Sequence, residues 1–386
     1  MRSKLAVLAL LLPAVPAASA APDPPSSRAS LPAHAVLVEQ RAEFLRLAKD
    51  GVRRARVHFW NGRLGWYNDR LDRDWRPAMP LARLWTAYPL FETLNAIALA
   101  DPTVANRAAV RAFADKARTY WNPLIIPSGG YSYLPGTRNA DVNAFFDDAG
   151  WWGLAFLHAV QATGDRRYLR DAARAFNWIV RDGWEDGEGG VWWDTDRHHK
   201  TAEPLAAAIL IGAKLYRETR NETYLREVHK LLTWADTWTV HDGTRLYQRS
   251  STDSVLMNYV QGMMIEAHLE LCAIEGPSHC RRARQLARAS AERFPADAEW
   301  APSNDAIYLR SMLALYRHDG DPRWYELAHR NALRAIRNAR GRHGLYLKRW
   351  DRVGIPGGLL RMHAASLSLF AWLAATPPPR AVQRTK

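Results

Sequence analysis

Apolar residues recur at three-to-four spacing along most of the chain, and on that spacing the sequence predicts twelve helices. Their spans are approximately 35–58, 83–100, 104–121, 148–163, 166–181, 201–219, 222–240, 256–274, 278–294, 303–318, 321–340 and 361–375. No run of strictly alternating apolar and polar positions competes with them. Five connections read as tight turns: Ala100-Asp101-Pro102, Gly164-Asp165, Arg220-Asn221, Gly276-Pro277 and Gly320-Asp321-Pro322. These residue types stop one helix and cap the next. An aromatic follows three of the turns at the same offset, Tyr168, Tyr224 and Trp324, which makes a weak internal repeat. Long loops at 59–82, 122–147, 182–200, 241–255, 295–302 and 341–360 alternate with the turns, so all long loops are expected on one face.

The helices alternate in character too. Those after long loops, such as WWGLAFLHAVQA and PLAAAILIGAKLY, are apolar on most sides; those after short turns, such as RRYLRDAARAFNWIVRD and ETYLREVHKLLTWAD, are striped and charged. A helix apolar all round is buried, whereas a striped one faces solvent. Six inner helices ringed by six outer ones make an all-α (α/α)6 toroid. Any ligand cleft belongs on the long-loop face, where loops vary and carry function.

Composition narrows the picture. In 386 residues, 48% are hydrophobic and 24% charged, with two cysteines, which excludes collagenous, disulfide-dense and wholly disordered chains. The 17 Trp are numerous, and each serves either as a core anchor or as a flat platform for a ligand. Arg2 and Lys4, the apolar stretch Leu5 to Val15 and the small residues Ala18-Ser19-Ala20 read as a secretory signal peptide, 1–20. Residues 21–34 read as a disordered lead-in, 35–376 as a single domain and 377–386 as a flexible tail. The expected protein is therefore exported, periplasmic or secreted. No other stretch approaches the ~20 apolar residues of a membrane span. Losing Arg2 and Lys4 takes the formal charge from +14 to +12, which would draw anionic polymers. The cations are spread along helix faces, where solvation explains them, and no nucleic-acid motif accompanies them. Cys272 and Cys280, eight apart, either form a disulfide of an exported chain or remain buried thiols.

The sharpest chemical signal is Phe145-Phe146-Asp147-Asp148-Ala149-Gly150-Trp151-Trp152, at the start of the second inner helix. Two neighbouring carboxylates raise one another's pKa, and aromatic burial raises it further; retaining glycosidases use such a pair as nucleophile and acid/base. Asp at a helix start is also ordinary capping.

The run FFDDAGWWGLAFLHAVQATGDRRYL resembles the signature of glycoside hydrolase family 76, the α-1,6-mannanases, in which a DD pair precedes a WW and a TGD turn. Gly189-Gly190-Val191-Trp192-Trp193-Asp194, with Lys200 and Leu215-Tyr216 beyond, is similar to the family's second block. Tyr259 with Gln261-Gly262 is similar to a third. The similarity covers roughly residues 50–375. It implies an (α/α)6 toroid and a retaining, double-displacement hydrolase, endo-acting on α-1,6-mannan. Within that family, Asp147 would be the nucleophile and Asp148 the general acid/base. Thr201, Leu205 and Val260 stand where the family carries Asn, departures that bear on substrate identity.

Other candidates for sugar contact lie in the long loops and at inner-helix starts: Trp60, Asn61, Tyr131, Tyr133, Trp151, Trp192, Trp193, Asp194, Asp196, Asn258, Tyr259 and Gln261. Packing or capping explains each of them alone equally well. His198-His199 lacks the spacing and companions of a zinc site, and His158 and His268 sit in apolar helices as core histidines. No GxSxG, P-loop or dinucleotide fingerprint is present, so no metal or cofactor is expected, and the expected partner is a polysaccharide or oligosaccharide bound by a monomer. The alternatives are an unsaturated-uronyl hydrolase or sugar epimerase on the same toroid, a cell-wall transglycosidase, and a non-catalytic glycan-binding toroid.

Overall fold

Long loops and tight turns alternate as expected among the residues that the computed structural model describes, 31–294, 301–351 and 358–380; most of the predicted loop 295–302 and part of the loop 341–360 lie outside them. Among these residues the helices are α1 (His34–His58), α2 (Leu84–Ala100), α3 (Val104–Ala117), α4 (Phe146–Thr163), α5 (Tyr168–Trp178), α6 (Ala202–Thr219), α7 (Glu222–Trp238), α8 (Asn258–Glu275), α9 (Pro277–Arg293), α10 (Pro302–Asp319), α11 (Pro322–Arg334) and α12 (Leu360–Ala374). The even-numbered helices close a ring: α2 packs on α4, then α6, α8, α10 and α12, which returns to α2. Odd-numbered helices lie outside them; α1, for example, packs on α12 and α2. The fold is the (α/α)6 toroid. The predicted signal peptide and most of the lead-in lie outside the described residues.

Burial follows the sequence pattern. In α6 every residue from Ala202 to Leu215 is buried. In α5 the buried set is a stripe, Tyr168, Leu169, Asp171, Ala172, Ala175, Phe176 and Trp178. The turns use the expected chemistry. Gly164 and Gly320 end α4 and α10 at φ 72° and 73°, the left-handed conformation that costs glycine nothing. Side chains of Thr103, Asn221 and Asp321 accept from the amides of Asn106, Thr223 and Arg323 and so cap α3, α7 and α11. Cys272 of α8 and Cys280 of α9 are disulfide-bonded across the turn between those helices.

Three differences from the pattern have local causes. The predicted helix to residue 121 gives way at Arg118–Tyr120 to a tighter 3-10 turn. Tyr120 is pulled inward there, its hydroxyl donating to the Ala82 carbonyl at 2.5 Å and accepting from the Trp66 indole at 2.8 Å. The loops also contain three two-stranded ladders: Trp60–Asn61 with Trp66–Tyr67, Arg70–Leu71 with Pro77–Met79, and Trp121–Asn122 with Gly130–Tyr131. These are too short to show as alternation. Finally, the start of the predicted tail is tied down: His34 Nδ1 lies 2.8 Å from the Pro379 carbonyl, and Pro378 is buried.

At the end of the ring away from the long loops the inner helices bury a chain of charges. His158 Nδ1 lies 2.9 Å from Glu92, Arg310 lies 3.2 Å from Glu92 and 3.5 Å from Glu266, and Lys214 bridges Glu266 at 3.0 Å and Glu270 at 2.8 Å. All six residues are buried; burial alone would raise the proton affinity of Glu266, but the neighbouring Lys214, Arg310 and His158 outweigh it and hold the carboxyl far below its usual range. His158 is thus a partnered core histidine, and His268 likewise lies buried against the Tyr247 hydroxyl at 3.3 Å.

Candidate active site

All six inner helices begin on the long-loop face, and a residue from the first turns of each lines one cleft of about 920 Å³. Trp85 and Thr86 come from α2, Asp147, Asp148 and Trp151 from α4, Glu203 from α6, Tyr259 from α8, Asn304 from α10 and Arg361 from α12. The walls are aromatic. Trp85 and Trp151 meet with ring centroids 5.3 Å apart, and Trp193 packs on Phe145 at 4.8 Å and on His199 at 4.9 Å. Trp193 is set beside α4 by the backbone, because the Phe146 amide donates to the Trp193 carbonyl at 2.8 Å and Phe145 pairs with Asp194.

Asp147 and Asp148 occupy the first turn of α4 at the cleft. The Asp148 amide donates to Asp147 Oδ1 at 2.9 Å. Burial raises the affinity of Asp147 for a proton well above the ordinary range, and the neighbouring charges of Asp148 and Glu203 raise it further. A hydrogen bond from Trp193 and the one from the Asp148 amide only partly offset this. Burial pushes Asp148 up to about 7, against the pull of Arg83 and Arg361. Two such groups titrate as one unit that retains a proton near neutral pH. Desolvation here outweighs the helix dipole, which alone would favour two ionised carboxylates.

Of the residues anticipated from sequence, Tyr133, Trp151, Trp193 and Tyr259 line the cleft with the aspartate pair. The others lie elsewhere, each for a visible reason. Trp60 lies under the Arg56 guanidinium at 3.3 Å, and Asn61 bonds Asn68 within the first hairpin. Tyr131 is buried against Trp121 and Trp178. Trp192 carries Lys200 on its ring. Asp194 is buried and accepts from Asn143 and from the His198 amide, and Asp196 is exposed outside the cleft. Asn258 donates to Asp305 at 2.7 Å, and Gln261 clamps Tyr247 through both its amide and its carbonyl. These last two fasten the ring and its loops together.

The cleft also contains residues the sequence did not mark as sugar contacts: Arg83, Trp85, Asn139, Asp141, Asn143, His199, Glu203, Arg249, Asn304 and Arg361. Glu203 is buried and fixed by hydroxyl donors from Thr201 and, at 3.0 Å, Tyr259. His198 bonds Asp194 at 2.6 Å while His199 faces the cleft, so the two rings diverge. Among the described residues Cys272, Cys280 and His318 are close enough together to share an ion, but the two sulfurs are bonded to each other.

A carboxylate pair sunk among indoles at the mouth of an (α/α)6 toroid is the frame of a glycoside hydrolase. Residues 122–299 match the model of glycosyl hydrolase family 76. No curated protein matches it by sequence. Solved structures share its fold. A family 76 α-mannanase from Bacteroides thetaiotaomicron superposes with a TM-score of 0.77 at 17% identity, covering 88% of this chain and 98% of that one. An α-1,6-mannanase from Salegentibacter sp., inactive with two consecutive aspartates replaced and bound to α-1,6-mannotetrose, gives 0.71 at 16% identity over 86% and 98%. A D-mannose isomerase gives 0.62 at 12% identity over 89% and 99%, so the toroid alone does not select hydrolysis.

Proposed function

We propose that this chain is an exported, retaining endo-hydrolase of α-1,6-mannan. The observation that carries the reading is the Asp147–Asp148 pair, a half-buried carboxyl beside a buried one in the first turn of α4, in a cleft walled by Trp85, Trp151 and Trp193. Support comes from the Salegentibacter enzyme, whose inactive variant lacks two adjacent aspartates and holds an α-1,6-mannose oligomer. Asp147 attacks the anomeric carbon while Asp148 protonates the departing oxygen; Asp148 then deprotonates a water that releases the sugar, with net retention.

The empty cleft places its charges the other way round. Arg83 and Arg361 face Asp148 and favour its carboxylate, whereas Glu203 faces Asp147 and favours its acid. Attack by Asp147 therefore needs the shared proton on Asp148. Positive charge developing at the anomeric carbon stabilises ionised Asp147 and moves the proton in that direction. The arginines favour a second reading in which Asp148 is the nucleophile.

Reducing ends released from linear α-1,6-mannan by the mature protein test the reaction, and silence there overturns the substrate. A 2-deoxy-2-fluoro glycosyl fluoride that traps the covalent intermediate tests the roles. Peptide mapping is expected to place the sugar on Asp147; a label on Asp148 reverses the assignment. The pH profile of kcat/KM is expected to rise on its acid side near 7, where the first proton leaves the pair and the one-proton form that the mechanism needs appears. A profile flat from pH 5 to 9 removes the shared proton from the mechanism.

A further inference from the structure

We propose that the wall of the cleft formed by Arg83 and Arg361 receives an anionic substituent of the glycan, a phosphate or a carboxylate, beside the scissile bond. This rests on the glycan-hydrolase reading above and deepens it.

Arg83 and Arg361 stand in the cleft next to Trp85, Trp151 and Asp148. Arg83 is anchored from behind: its Nε and Nη2 each lie 3.2 Å from buried Asp69, yet its side chain stays 42% exposed. Arg361 is half-buried, and its Nε has no hydrogen-bond partner among the described residues. Among the described residues, the charges that act on it most strongly are Arg83 and Arg70, both cations, and Asp69 and Asp148, the anions. Among these described groups three guanidiniums face two carboxylates, one of which belongs to the aspartate pair of the cleft. Burial and the two like charges lower the proton affinity of Arg361, the sign of a cation short of compensation.

The opposite side of the cleft differs. Asp147 and Glu203 stand there, and Arg249 is already taken by Asp253 at 3.0 Å. Among the described residues the excess of positive charge therefore lies on the Arg83–Arg361 wall. A guanidinium fork matches the paired oxygens of a phosphate or carboxylate, and such a ligand would satisfy the orphaned Arg361 donor and neutralise the excess charge together. A neutral hydroxyl does only the first.

Intrinsic tryptophan fluorescence reports the site, because Trp85 and Trp151 border it. The mature protein is titrated with inorganic phosphate and with D-glucuronate at constant ionic strength, alongside Arg361→Gln, Arg361→Lys and Arg46→Gln. Arg46 is an exposed arginine paired with Glu43, and its loss removes the same charge far from the cleft. Saturable binding of at least one anion by the wild type is expected, weakened at least about tenfold in Arg361→Gln, by less in Arg361→Lys, and not at all in Arg46→Gln. Binding of phosphate alone points to a phosphorylated glycan; binding of glucuronate as well points to a uronate. The proposal is overturned if neither anion saturates the wild type, if Arg361→Gln binds as tightly as wild type, or if Arg46→Gln weakens binding equally. Should Arg361→Gln fail to fold, Arg361→Lys decides: undiminished affinity there overturns the guanidinium fork. Mannan hydrolysis without anion binding removes the subsite and leaves the mannanase reading standing. Anion binding without mannan hydrolysis does the reverse.

Discussion

Asp147→Asn and Asp148→Asn are each expected to lower turnover of α-1,6-mannan by at least about 10³-fold while the helical circular dichroism stays unchanged. The second is also expected to make the protein more stable at pH 8. An unfolded aspartate loses its proton near 3.9. In the cleft Asp148 holds its proton up to about 7. Because the folded-state pKa is raised, the stabilising contribution is fully present below the unfolded pKa and is lost as pH rises through the folded one. Above pH 7 the buried carboxylate therefore costs stability, on the order of 4 kcal/mol for the full separation. Asparagine has no charge to bury, so Asp148→Asn should raise Tm by several degrees at pH 8 and by little at pH 4. Turnover and two melting curves are the measurements. Most of the activity surviving in either variant sinks that residue's catalytic role. An equal Tm change at both pH values shows that Asp148 is not held protonated by its site.

The joint signature, inactive yet stabilised, distinguishes a working carboxylate from a capping one. A capping aspartate at the start of α4 would be ionised and favoured by the helix dipole, and its loss would destabilise the fold. From sequence alone the two roles looked alike. What separates them is the depth of the site, set by Trp193 strapped to the start of α4 and by Trp85 arriving from α2.

That contrast marks what was legible. The toroid was, because helices apolar all round and helices with one apolar stripe alternate without a break, and because Gly, Asn, Asp and Pro punctuate the turns. The cleft's place followed from the long loops, and the aspartate pair from its aromatic surroundings. Polar residues at inner-helix starts were not separable by the same means. Asn258, Gln261 and Tyr259 share one helix turn, yet only Tyr259 meets the cleft; the amides of the other two go to Asp305 and Tyr247. A residue that fastens a loop and one that meets a sugar carry the same local signal. Arg83 and Arg361 were lost among many arginines on solvated faces, since nothing local shows that Asp69 lies behind the first or that the Nε of the second lacks a hydrogen-bond partner among the described residues. Glu203 had a faint signal, one carboxylate at the mouth of an otherwise apolar inner helix. Trp60 and Asn61 were misplaced because the first loop folds back into a hairpin that carries them away.

Glu266→Gln, at the other end of the ring, is expected to destabilise the protein by about 3–5 kcal/mol at pH 7 without touching the cleft. Glu266 answers Lys214 at 3.0 Å and Arg310 at 3.5 Å, and both cations are buried. Removing its charge leaves Glu92 and Glu270 to neutralise Lys214, Arg310 and the more exposed Arg217, so positive charge remains without an answer in a desolvated core. The pH dependence runs opposite to that of Asp148. Here the folded pKa is depressed, so the contribution of Glu266 is present above the unfolded carboxylate range and disappears as pH falls through the folded value. The Tm gap between wild type and Glu266→Gln should therefore be widest near neutrality and narrow toward pH 3. KM at a temperature where both are folded should be unchanged. Arg310→Met is expected to do more. The Arg310 guanidinium also donates to the Tyr88 hydroxyl at 2.9 Å, and the Tyr88 ring lies against Trp85 at 5.9 Å and Trp151 at 5.7 Å. Its loss removes the support behind the aromatic wall, so that variant should raise KM as well as lower Tm. Equal KM in both variants would show that the ionic core and the cleft stand independently.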